Sequence, residues 1–274
     1  RDWSVTGVQT CALPIFLKLI IFLLMCGIGI PLQMIVMIFT RGRAALFLPW
    51  LFQYLAARLY GLSVEIYGTP LTRHVLFVGN HISYLDIIAM GQCFPVSFIA
   101  KKEVSGWPIF GILAKLQRTV FIERRRTQSH KGKDALSARL SEGLPLILFG
   151  EGTSTNGTSV LPFKSTLFEA LFLNNIKEKT KVQVFTLTLV TVDGRPVKTN
   201  EDRDLYAWHG DMTLPPHLWK FGQLSGASLR LTFHLPRTLR DYEDRKILAI
   251  DCYNDCRTEF NAPPEALASP AKSL

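Results

Sequence analysis

The 274-residue chain has few charged side chains, and the acidic ones are the scarcer kind. Charged residues make up 19% of the sequence, and 22 aspartates and glutamates stand against 31 lysines and arginines, so the net charge is +9. This basic excess suits an anionic membrane surface or a phosphorylated substrate. The sequence contains no nucleic-acid-binding module, so we expect no nucleic acid partner.

Cysteine is also scarce, and its positions form no metal-binding pattern. The five cysteines are Cys11, Cys26, Cys93, Cys252 and Cys256. No Cys-x-x-Cys pair or zinc-type Cys/His spacing occurs, so we predict no metal site. The spacing of Cys252 and Cys256 indicates packing on a helix, and the odd, scattered set is typical of reduced thiols that face a cytosolic compartment.

Several well-known catalytic motifs are missing. No Gly-x-Ser-x-Gly supports a serine hydrolase, no Gly-x-Gly-x-x-Gly follows a strand, and no Gly-Lys-Ser/Thr completes a P-loop. His209 and Asp211 lie two residues apart and resemble a catalytic pair, but we interpret them as structural.

Long apolar runs are concentrated near the N-terminus and contribute to a hydrophobic content of 48% and a mean hydropathy of +0.18. Leu19–Phe39 holds 21 residues without a charge. As a helix this segment is about 31 Å long, which matches the hydrocarbon core of a bilayer. Pro31, Gly27 and Gly29 leave a kinked span or a re-entrant hairpin open as alternatives.

Basic and aromatic residues follow this run. Arg41 and Arg43 favour a cytoplasmic location for the rest of the chain by the positive-inside rule, although Lys18 on the other side weakens that inference. Ala44–Tyr60 mixes aromatic residues with leucines, which predicts an interfacial amphipathic helix, with a simple core helix as the alternative. Residues 15–60 are therefore expected to form a membrane anchor.

The two ends of the chain differ from its middle. Residues 1–14 show no clear periodicity and fit nothing that follows, so we expect a non-native leader that stands in place of the natural N-terminus. Residues 261–274 are rich in proline, alanine and serine, and are expected to form a flexible tail. Residues 61–260 then form one domain.

Strand and helix patterns alternate through this domain. The pattern predicts an α/β fold with a mainly parallel or mixed sheet flanked by helices, preceded by the N-terminal membrane helix or hairpin. The predicted strands are Ser63–Tyr67, His74–Val78, Val96–Ala100, Thr119–Glu123, Pro145–Phe149, Val182–Val190 and Leu229–Leu235. The predicted helices are Ser83–Gln92, Gly106–Leu116, Gln128–Glu142, Leu167–Asn174 and Leu239–Phe260.

One turn in this domain places a histidine near an aspartate. His81 follows the predicted strand His74–Val78, and Ser83 is the expected N-cap of the next helix, with Asp86 three residues on as in a capping box. The turn lets the Asp86 carboxylate point back towards His81, an arrangement that suits a general base and its orienting group. The alternative is that Asp86 only caps the helix and His81 is an ordinary turn residue.

Three later stretches have weaker signals of their own. Arginines 124–126 follow a predicted strand and favour phosphate binding, with a solvated basic turn as the alternative. Gly150–Ser154 is a glycine-rich turn that can offer backbone N–H groups to an anion, with a plain turn as the alternative. Glu151, within this turn, is a less favoured candidate for the base. Pro162–Lys164 can line an acyl or phosphate pocket, or form a plain loop.

Together the four stretches resemble the glycerophospholipid acyltransferase family, in the order that this family shows them. They are Asn80-His81-x4-Asp86, Phe121-Ile122-Glu123-Arg124, Phe149-Gly150-Glu151-Gly152-Thr153 and Leu161-Pro162-Phe163-Lys164. The resemblance covers about residues 61–260 and is greatest with bacterial 1-acyl-sn-glycerol-3-phosphate acyltransferases. Residues 208–212 and 216–219 are similar to a branch that includes lyso-ornithine-lipid acyltransferases. The family usually has proline where this chain has Gly150.

The resemblance implies a mechanism and a substrate class. His81, oriented by Asp86, takes the proton from a lysolipid hydroxyl, which attacks the thioester of acyl-CoA or acyl-carrier protein. No cofactor beyond that co-substrate is implied. The implied product is phosphatidic acid, made at the sn-2 hydroxyl, and the implied location is the cytoplasmic side of a bacterial inner membrane. The implied acceptor-binding residues are Asn80, Arg124, Glu151, Gly152, Thr153, Pro162 and Lys164.

Two alternatives to this function remain open. One is acylation of lyso-ornithine lipid or another lysophospholipid, since an arginine favours an anionic head group without selecting one. The other is a membrane-anchored lipid-binding protein with a degenerate site, for which Gly150 is the feature in favour and the His81/Asp86 pair the feature against.

Overall fold

The computed structural model describes residues 3–122, 129–172 and 174–262, and only the backbone of residues 3–13, 129–134 and 174–175. Within these residues nine strands form one sheet. They are β1 (Leu62–Tyr67), β2 (Val75–Gly79), β3 (Ser97–Lys101), β4 (Val120–Ile122), β5 (Leu146–Phe149), β6 (Lys181–Val192), β7 (Arg195–Pro196), β8 (Ala227–Phe233) and β9 (Arg237–Thr238).

The sheet is mixed, and its parallel part contains the strands that precede the chemical turns. Its order is β1-β8-β6-β2-β5-β3-β4, with β7 and β9 pairing along β6. Strands β6, β2, β5, β3 and β4 are parallel neighbours, whereas β8 runs antiparallel to β6 and parallel to β1. The predicted α/β domain with a mainly parallel or mixed sheet is confirmed.

Helices connect most of these strands. They are α1 (Trp3–Phe39), α2 (Phe47–Tyr60), α3 (Leu85–Gly91), α4 (Phe110–Leu116), α5 (Ser129–Ser141), α6 (Asn174–Lys177), α7 (Asn200–Arg203), α8 (Leu214–Gly222) and α9 (Arg245–Phe260). Tight 3-10 turns cover Gly42–Leu46, Lys102–Gly106, Ser165–Phe172 and Leu239–Asp241.

Two predicted helices begin later than expected. The helix predicted from Gly106 begins at Phe110 because the segment before it forms a 3-10 turn and then extended backbone at Trp107. The helix predicted from Leu239 begins at Arg245, where the Asp244 side chain accepts the N–H of Lys246 and caps the first turn. A side-chain cap sets the start of α9, whereas α4 begins without one, after the extended backbone at Trp107.

Alternate residues of the central strand β2 face two helical layers. Val75 and Phe77 pack in a cluster with residues of α2 and α3, whereas Leu76 and Val78 pack in a second cluster with residues of α5 and α9. A strand covered on both faces has no polar side, which explains its continuous apolar sequence. Cys252 and Cys256 are buried in the second cluster, as the packing interpretation predicted.

Helix α1 is continuous from Trp3 to Phe39 and passes through Pro14 and Pro31 without a break. Its segment Pro14–Phe39 has a mean hydropathy of 2.5 and is long enough to cross a membrane by length and composition. The N-terminal element is therefore a single apolar helix and not a hairpin. Residues 263–274, which make up most of the expected tail, lie outside the described residues.

Candidate active site

The turn between β2 and α3 brings His81 onto Asp86. The Nδ1 atom of His81 lies 2.8 Å from Oδ2 of Asp86. The same oxygen accepts the backbone N–H groups of Ile82, at 2.7 Å, and Ser83, at 3.0 Å. The predicted contact between the two side chains is thus present in the structure, and Asp86 also fixes the backbone of the turn.

Ser83 makes the hydrogen bonds of the predicted N-cap, although the helix boundary lies one residue later than expected. Tyr84 occupies the formal cap position with helical backbone angles, so α3 begins at Leu85. The Ser83 Oγ accepts the N–H of Leu85 at 3.4 Å, and the Ser83 N–H donates to Asp86, which is the carboxylate half of a capping box. The difference moves the helix start by one residue and leaves Asp86 in the first turn.

The geometry of the imidazole leaves its second nitrogen available. Since Asp86 accepts a hydrogen bond at Nδ1, the lone pair of neutral His81 is on Nε2. Nε2 has no hydrogen-bond partner among the described residues, and the side chain is 18% exposed. The ring stacks on Phe149 with 3.8 Å between centroids, which restricts its rotation. The arrangement can accept a proton from a substrate hydroxyl.

A tyrosine far along the chain completes the surroundings of Asp86. The hydroxyl of Tyr206 donates to Oδ1 of Asp86 at 2.8 Å, and its side chain is fully buried. Burial and the Asp86 carboxylate raise the pKa of the phenol well above 10, so it stays a donor. Sequence reasoning missed Tyr206 because it is 120 residues from Asp86 and belongs to no local pattern.

The glycine-rich turn after β5 holds the backbone of His81. Strands β2 and β5 are parallel neighbours, with Gly79 opposite Phe149, so both turns emerge at the same edge of the sheet. The His81 N–H donates to Oε2 of Glu151 at 3.1 Å, and the His81 carbonyl accepts the N–H of Thr155 at 2.9 Å. The turn predicted to bind an anion thus positions the candidate base.

Glu151 also reaches the third turn. Its Oε1 accepts the N–H of Leu161 at 2.8 Å, next to Pro162, and its side chain is 1% exposed. Burial raises its pKa to about 8, with a smaller contribution from Asp86, against the lowering effect of its two backbone hydrogen bonds and of Lys164. Both carboxyl oxygens are engaged by backbone donors, so the side chain links the His81 turn to the Pro162 turn.

The space beside Gly150 is filled by Phe163. A Cβ atom on Gly150 would lie 2.5–2.8 Å from three ring carbons of Phe163. Gly150 also donates its N–H to the Gly79 carbonyl at 2.9 Å. The glycine therefore lets the buried Phe163 ring pack directly on the turn that carries Glu151.

The remaining predicted site residues divide into two groups. Asn80 is buried, and its amide exchanges two 2.8 Å hydrogen bonds with the backbone of Leu187 in β6. Thr153, Pro162 and Lys164 are exposed near the turns, and Lys164 lies over Gly152, whose φ is +64°. Arg124 lies outside the described residues.

The described residues contain no group of three or more histidine, cysteine, aspartate or glutamate side chains that is arranged to hold a metal ion. The four cysteines whose side chains are described, Cys26, Cys93, Cys252 and Cys256, are free thiols.

Comparison with known proteins finds similar chains among enzymes. Residues 63–189 match the family model described as Acyltransferase. The lyso-ornithine lipid O-acyltransferase of Rhodobacter capsulatus is 35% identical over 71% of this chain and 68% of its own length. The 1-acyl-sn-glycerol-3-phosphate acyltransferase of Neisseria meningitidis serogroup B is 33% identical over 71% of this chain and 72% of its own length.

A solved structure shares the fold. The crystal structure of the 1-acyl-sn-glycerophosphate (LPA) acyltransferase PlsC from Thermotoga maritima superimposes with a TM-score of 0.63, over 94% of this chain and 99% of that one. The two sequences are 18% identical. At that identity the comparison supports the architecture of sheet, flanking helices and N-terminal apolar helix.

Proposed function

Since the chain belongs to the lysophospholipid acyltransferase family, we propose that His81 and Asp86 transfer an acyl chain from a thioester to the free hydroxyl of a lysolipid. The observation that carries this proposal is the 2.8 Å contact between Nδ1 of His81 and Asp86, which leaves Nε2 unpartnered among the described residues. Acyl transfer to a hydroxyl is assisted by a general base beside that hydroxyl, and the unpartnered Nε2 supports His81 in this role.

The chemistry follows from the tautomer. Nε2 of His81 takes the hydroxyl proton while the oxygen forms a bond to the thioester carbonyl carbon. The resulting tetrahedral intermediate breaks its carbon–sulfur bond, and the leaving thiolate receives the proton from the imidazolium. Asp86 stabilises the imidazolium in between. A general base of this kind is worth about 10²–10⁴ in rate.

The polar turns support binding of the acceptor. Lys164 and the exposed Thr153 lie beside Gly152 near the His81 turn, and Arg124 follows β4, whose neighbour β3 pairs with β5. These groups suit an anionic head group. By contrast, Asn80 and Glu151 satisfy their polar atoms with backbone groups, so we assign them to holding β6 and the turns in place.

Two acceptors fit this proposal. 1-Acyl-sn-glycerol-3-phosphate, acylated at its sn-2 hydroxyl to give phosphatidic acid, is supported by the name of the Neisseria relative. Lyso-ornithine lipid is supported about equally, by the name of the Rhodobacter relative. Either acceptor resides in a membrane, which agrees with the apolar helix α1, and we place the enzyme on the cytoplasmic side of a bacterial inner membrane.

The test is acyl transfer by the purified, detergent-solubilised protein. Each of lysophosphatidic acid, lyso-ornithine lipid and lysophosphatidylcholine is supplied with acyl-CoA and with acyl-carrier protein. We expect transfer to one of the first two acceptors and a loss of about 10²–10⁴ in kcat for His81→Ala. His209→Ala, whose imidazole pairs with Asp204 at 3.1 Å, is the matched control and should retain activity.

The outcomes separate the alternatives. Transfer to lysophosphatidic acid alone assigns phosphatidic acid synthesis, and transfer to lyso-ornithine lipid alone assigns the other branch. Transfer that persists at the parental rate in His81→Ala would overturn the role of His81. No transfer with any pair of donor and acceptor would overturn the proposed substrate class.

A further inference from the structure

The segment after α7 carries Tyr206 to the catalytic turn. Helix α7 is held by a capping box between Thr199 and Asp202, and the N–H groups of Tyr206 and Ala207 donate to the Arg203 carbonyl. Two residues on, the N–H of Trp208 donates to the Ile82 carbonyl at 3.0 Å. The segment is thus fixed to the turn that bears His81.

The Tyr206 ring is fixed as well. It packs edge-on against Phe221 of α8, with 6.0 Å between centroids and an interplanar angle of 79°. The ring is completely buried, and its hydroxyl has one carboxylate in reach. Packing of the ring and the hydrogen bond to Asp86 together hold the hydroxyl in place.

Among the described residues, four donors contact the Asp86 carboxylate, three at one oxygen and one at the other. Oδ2 accepts from His81, Ile82 and Ser83, whereas Oδ1 accepts from Tyr206. The side chain is 0% exposed, so water does not solvate Oδ1. Without the Tyr206 hydroxyl, Oδ1 would be a buried carboxylate oxygen with no donor, which is costly, and the carboxylate plane would be held through Oδ2 alone.

We propose that Tyr206 is a positioning residue of the acyl-transfer site: its hydroxyl holds Oδ1 of Asp86 and thereby sets the orientation and the basicity of the carboxylate that faces His81. This inference rests on the proposed function of His81 and goes beyond the His81/Asp86 pair. The unit is a chain of three side chains, from the phenol through the carboxylate to the imidazole.

The basicity effect has a definite sign. The phenol donates to the carboxylate and reduces its negative charge density, so Asp86 attracts the imidazolium proton less strongly than it would alone. Removal of the hydroxyl leaves a more basic carboxylate, which stabilises protonated His81. The acid limb of the pH profile of kcat/KM, which reports the essential base in the free enzyme, then moves to higher pH.

Tyr206→Phe is the direct test. It keeps the ring against Phe221 and removes one hydrogen bond to a charged group. We expect kcat to fall about tenfold, KM for the acceptor to change little, and the acid limb to move to higher pH. The acceptor is whichever one the parent enzyme acylates.

The matched control is Tyr242→Phe. The Tyr242 hydroxyl contacts Arg237 at 2.7 Å and Asp251 at 3.1 Å, away from the site. This variant also loses a tyrosine hydroxyl engaged with charged partners, so it reports the cost to stability without the effect on Asp86. We expect its pH profile to match that of the parent.

Other titratable groups interact with these three side chains or with their neighbours, and the experiment must distinguish their effects. Glu151 interacts with Asp86, Lys164 interacts with Glu151, and Tyr84, just before α3, interacts with Tyr206. The pKa of Glu151 is about 8, so it titrates within the range of the profile. The shift caused by Tyr206→Phe should therefore persist when both profiles are recorded in a Glu151→Gln background.

A second measurement keeps the proposal testable without turnover. The ¹⁵N shifts of the His81 ring, followed against pH in the detergent-solubilised protein, report its protonation directly. Replacement of Tyr206 by 3-fluorotyrosine keeps the ring and the hydroxyl and strengthens the donor, so the His81 midpoint should move to lower pH, opposite to Tyr206→Phe. Unchanged midpoints in both proteins, or a kcat loss no larger than that of Tyr242→Phe, would overturn the proposal. If the protein transferred no acyl chain but the His81 midpoint still moved in the Tyr206 variants, the proposed function would be rejected and the positioning role of Tyr206 would stand.

Discussion

At the residue scale, Glu151 is a buried acid that ties two turns together. Its pKa is raised from 4.5 to about 8, chiefly by burial. Between those values the folded protein holds a proton that the unfolded chain releases. The folded state therefore binds more protons, and its free energy of unfolding decreases as the pH rises from about 5 to 8.

We predict that Glu151→Gln reduces this pH dependence and lowers stability. A glutamine accepts from His81 or from Leu161 through its one carbonyl oxygen, while its NH₂ group faces the other N–H donor. The expected cost is about 1–3 kcal/mol. Unfolding in detergent at pH 5, 6.5 and 8 checks both parts.

The control is Glu178→Gln, which changes an exposed glutamate paired with Arg240 at 3.6 Å. This variant should reproduce the pH dependence of the parent. If Glu151→Gln lost stability in equal measure at every pH, the buried proton would not be the cause. The kcat of Glu151→Gln should also fall, because the Glu151 carboxyl group fixes the backbone of His81.

At the element scale, the glycine-rich turn and the Pro162 turn pack through Gly150 and Phe163. Phe163 is buried and also contacts Tyr253 of α9 at 6.0 Å between ring centroids. We predict that Gly150→Ala destabilises the protein by about 1–3 kcal/mol, because the new methyl group overlaps the Phe163 ring near its root and the ring is held on its other side.

A double-mutant cycle measures this overlap. Phe163→Ala removes the Cγ and Cδ atoms that the new methyl group would overlap, so Gly150→Ala should cost less in the Phe163→Ala background than in the parent, and the two changes should be less than additive. Gly106→Ala is the control, since a Cβ atom there meets no atom within 4 Å. Additive losses at positions 150 and 163 would contradict the packing account.

The elements that follow from local pattern were predictable. Strands β2 and β5 read as continuous apolar runs because each is covered on both faces, and their adjacency brings the turns of His81 and Glu151 to one edge. The contact of His81 with Asp86 was predictable because only four residues, 82–85, lie between them and the chain turns there as α3 begins. Helix α7 escaped notice, since four polar residues carry no periodic signal.

The functions of several site residues were not predictable from local sequence. Tyr206 reaches Asp86 through the packing of α7 and α8, and no spacing along the chain encodes such a contact. Glu151 and Asn80 belong to motifs that suggested contact with the substrate. In the structure, their polar atoms instead form hydrogen bonds with backbone groups of other segments. Burial decides between these roles, and burial depends on the whole fold.

At the scale of the whole molecule, α1 lies along the domain instead of projecting from it. Lys18 donates to the carbonyls of Gly222 and Leu224 at the end of α8, and Gln33 donates to those of Ala45 and Leu116. Lys18 and Gln33 are 15 positions apart, which corresponds to about 22 Å along a helix. The domain therefore contacts α1 over a length that is most of the thickness of a bilayer's hydrocarbon core, about 30 Å.

The opposite face of α1 is apolar and exposed. Leu17, Leu24 and Ile35 are 58%, 60% and 53% exposed, and they lie in line along the helix, about 200° from the buried Ile15 and Phe22. Because the domain packs along the buried side of α1, a helix that crossed the bilayer would carry polar domain surface into the hydrocarbon core, whereas a helix in the plane of the membrane would not. We therefore expect α1 to rest parallel to the membrane surface, in one leaflet.

The measurement is the immersion depth of spin labels at these three positions. Leu17→Cys, Leu24→Cys and Ile35→Cys are made in a background whose native cysteines are alanine, reconstituted in vesicles, with Lys179→Cys as the aqueous reference. A parallel helix places the three labels at equal depth, within about 5 Å, because they share one face. A helix that crosses the bilayer separates the outer two by about 27 Å along the normal. Equal depths would also bring the domain, with His81 at its sheet edge, to the leaflet that holds the acceptor.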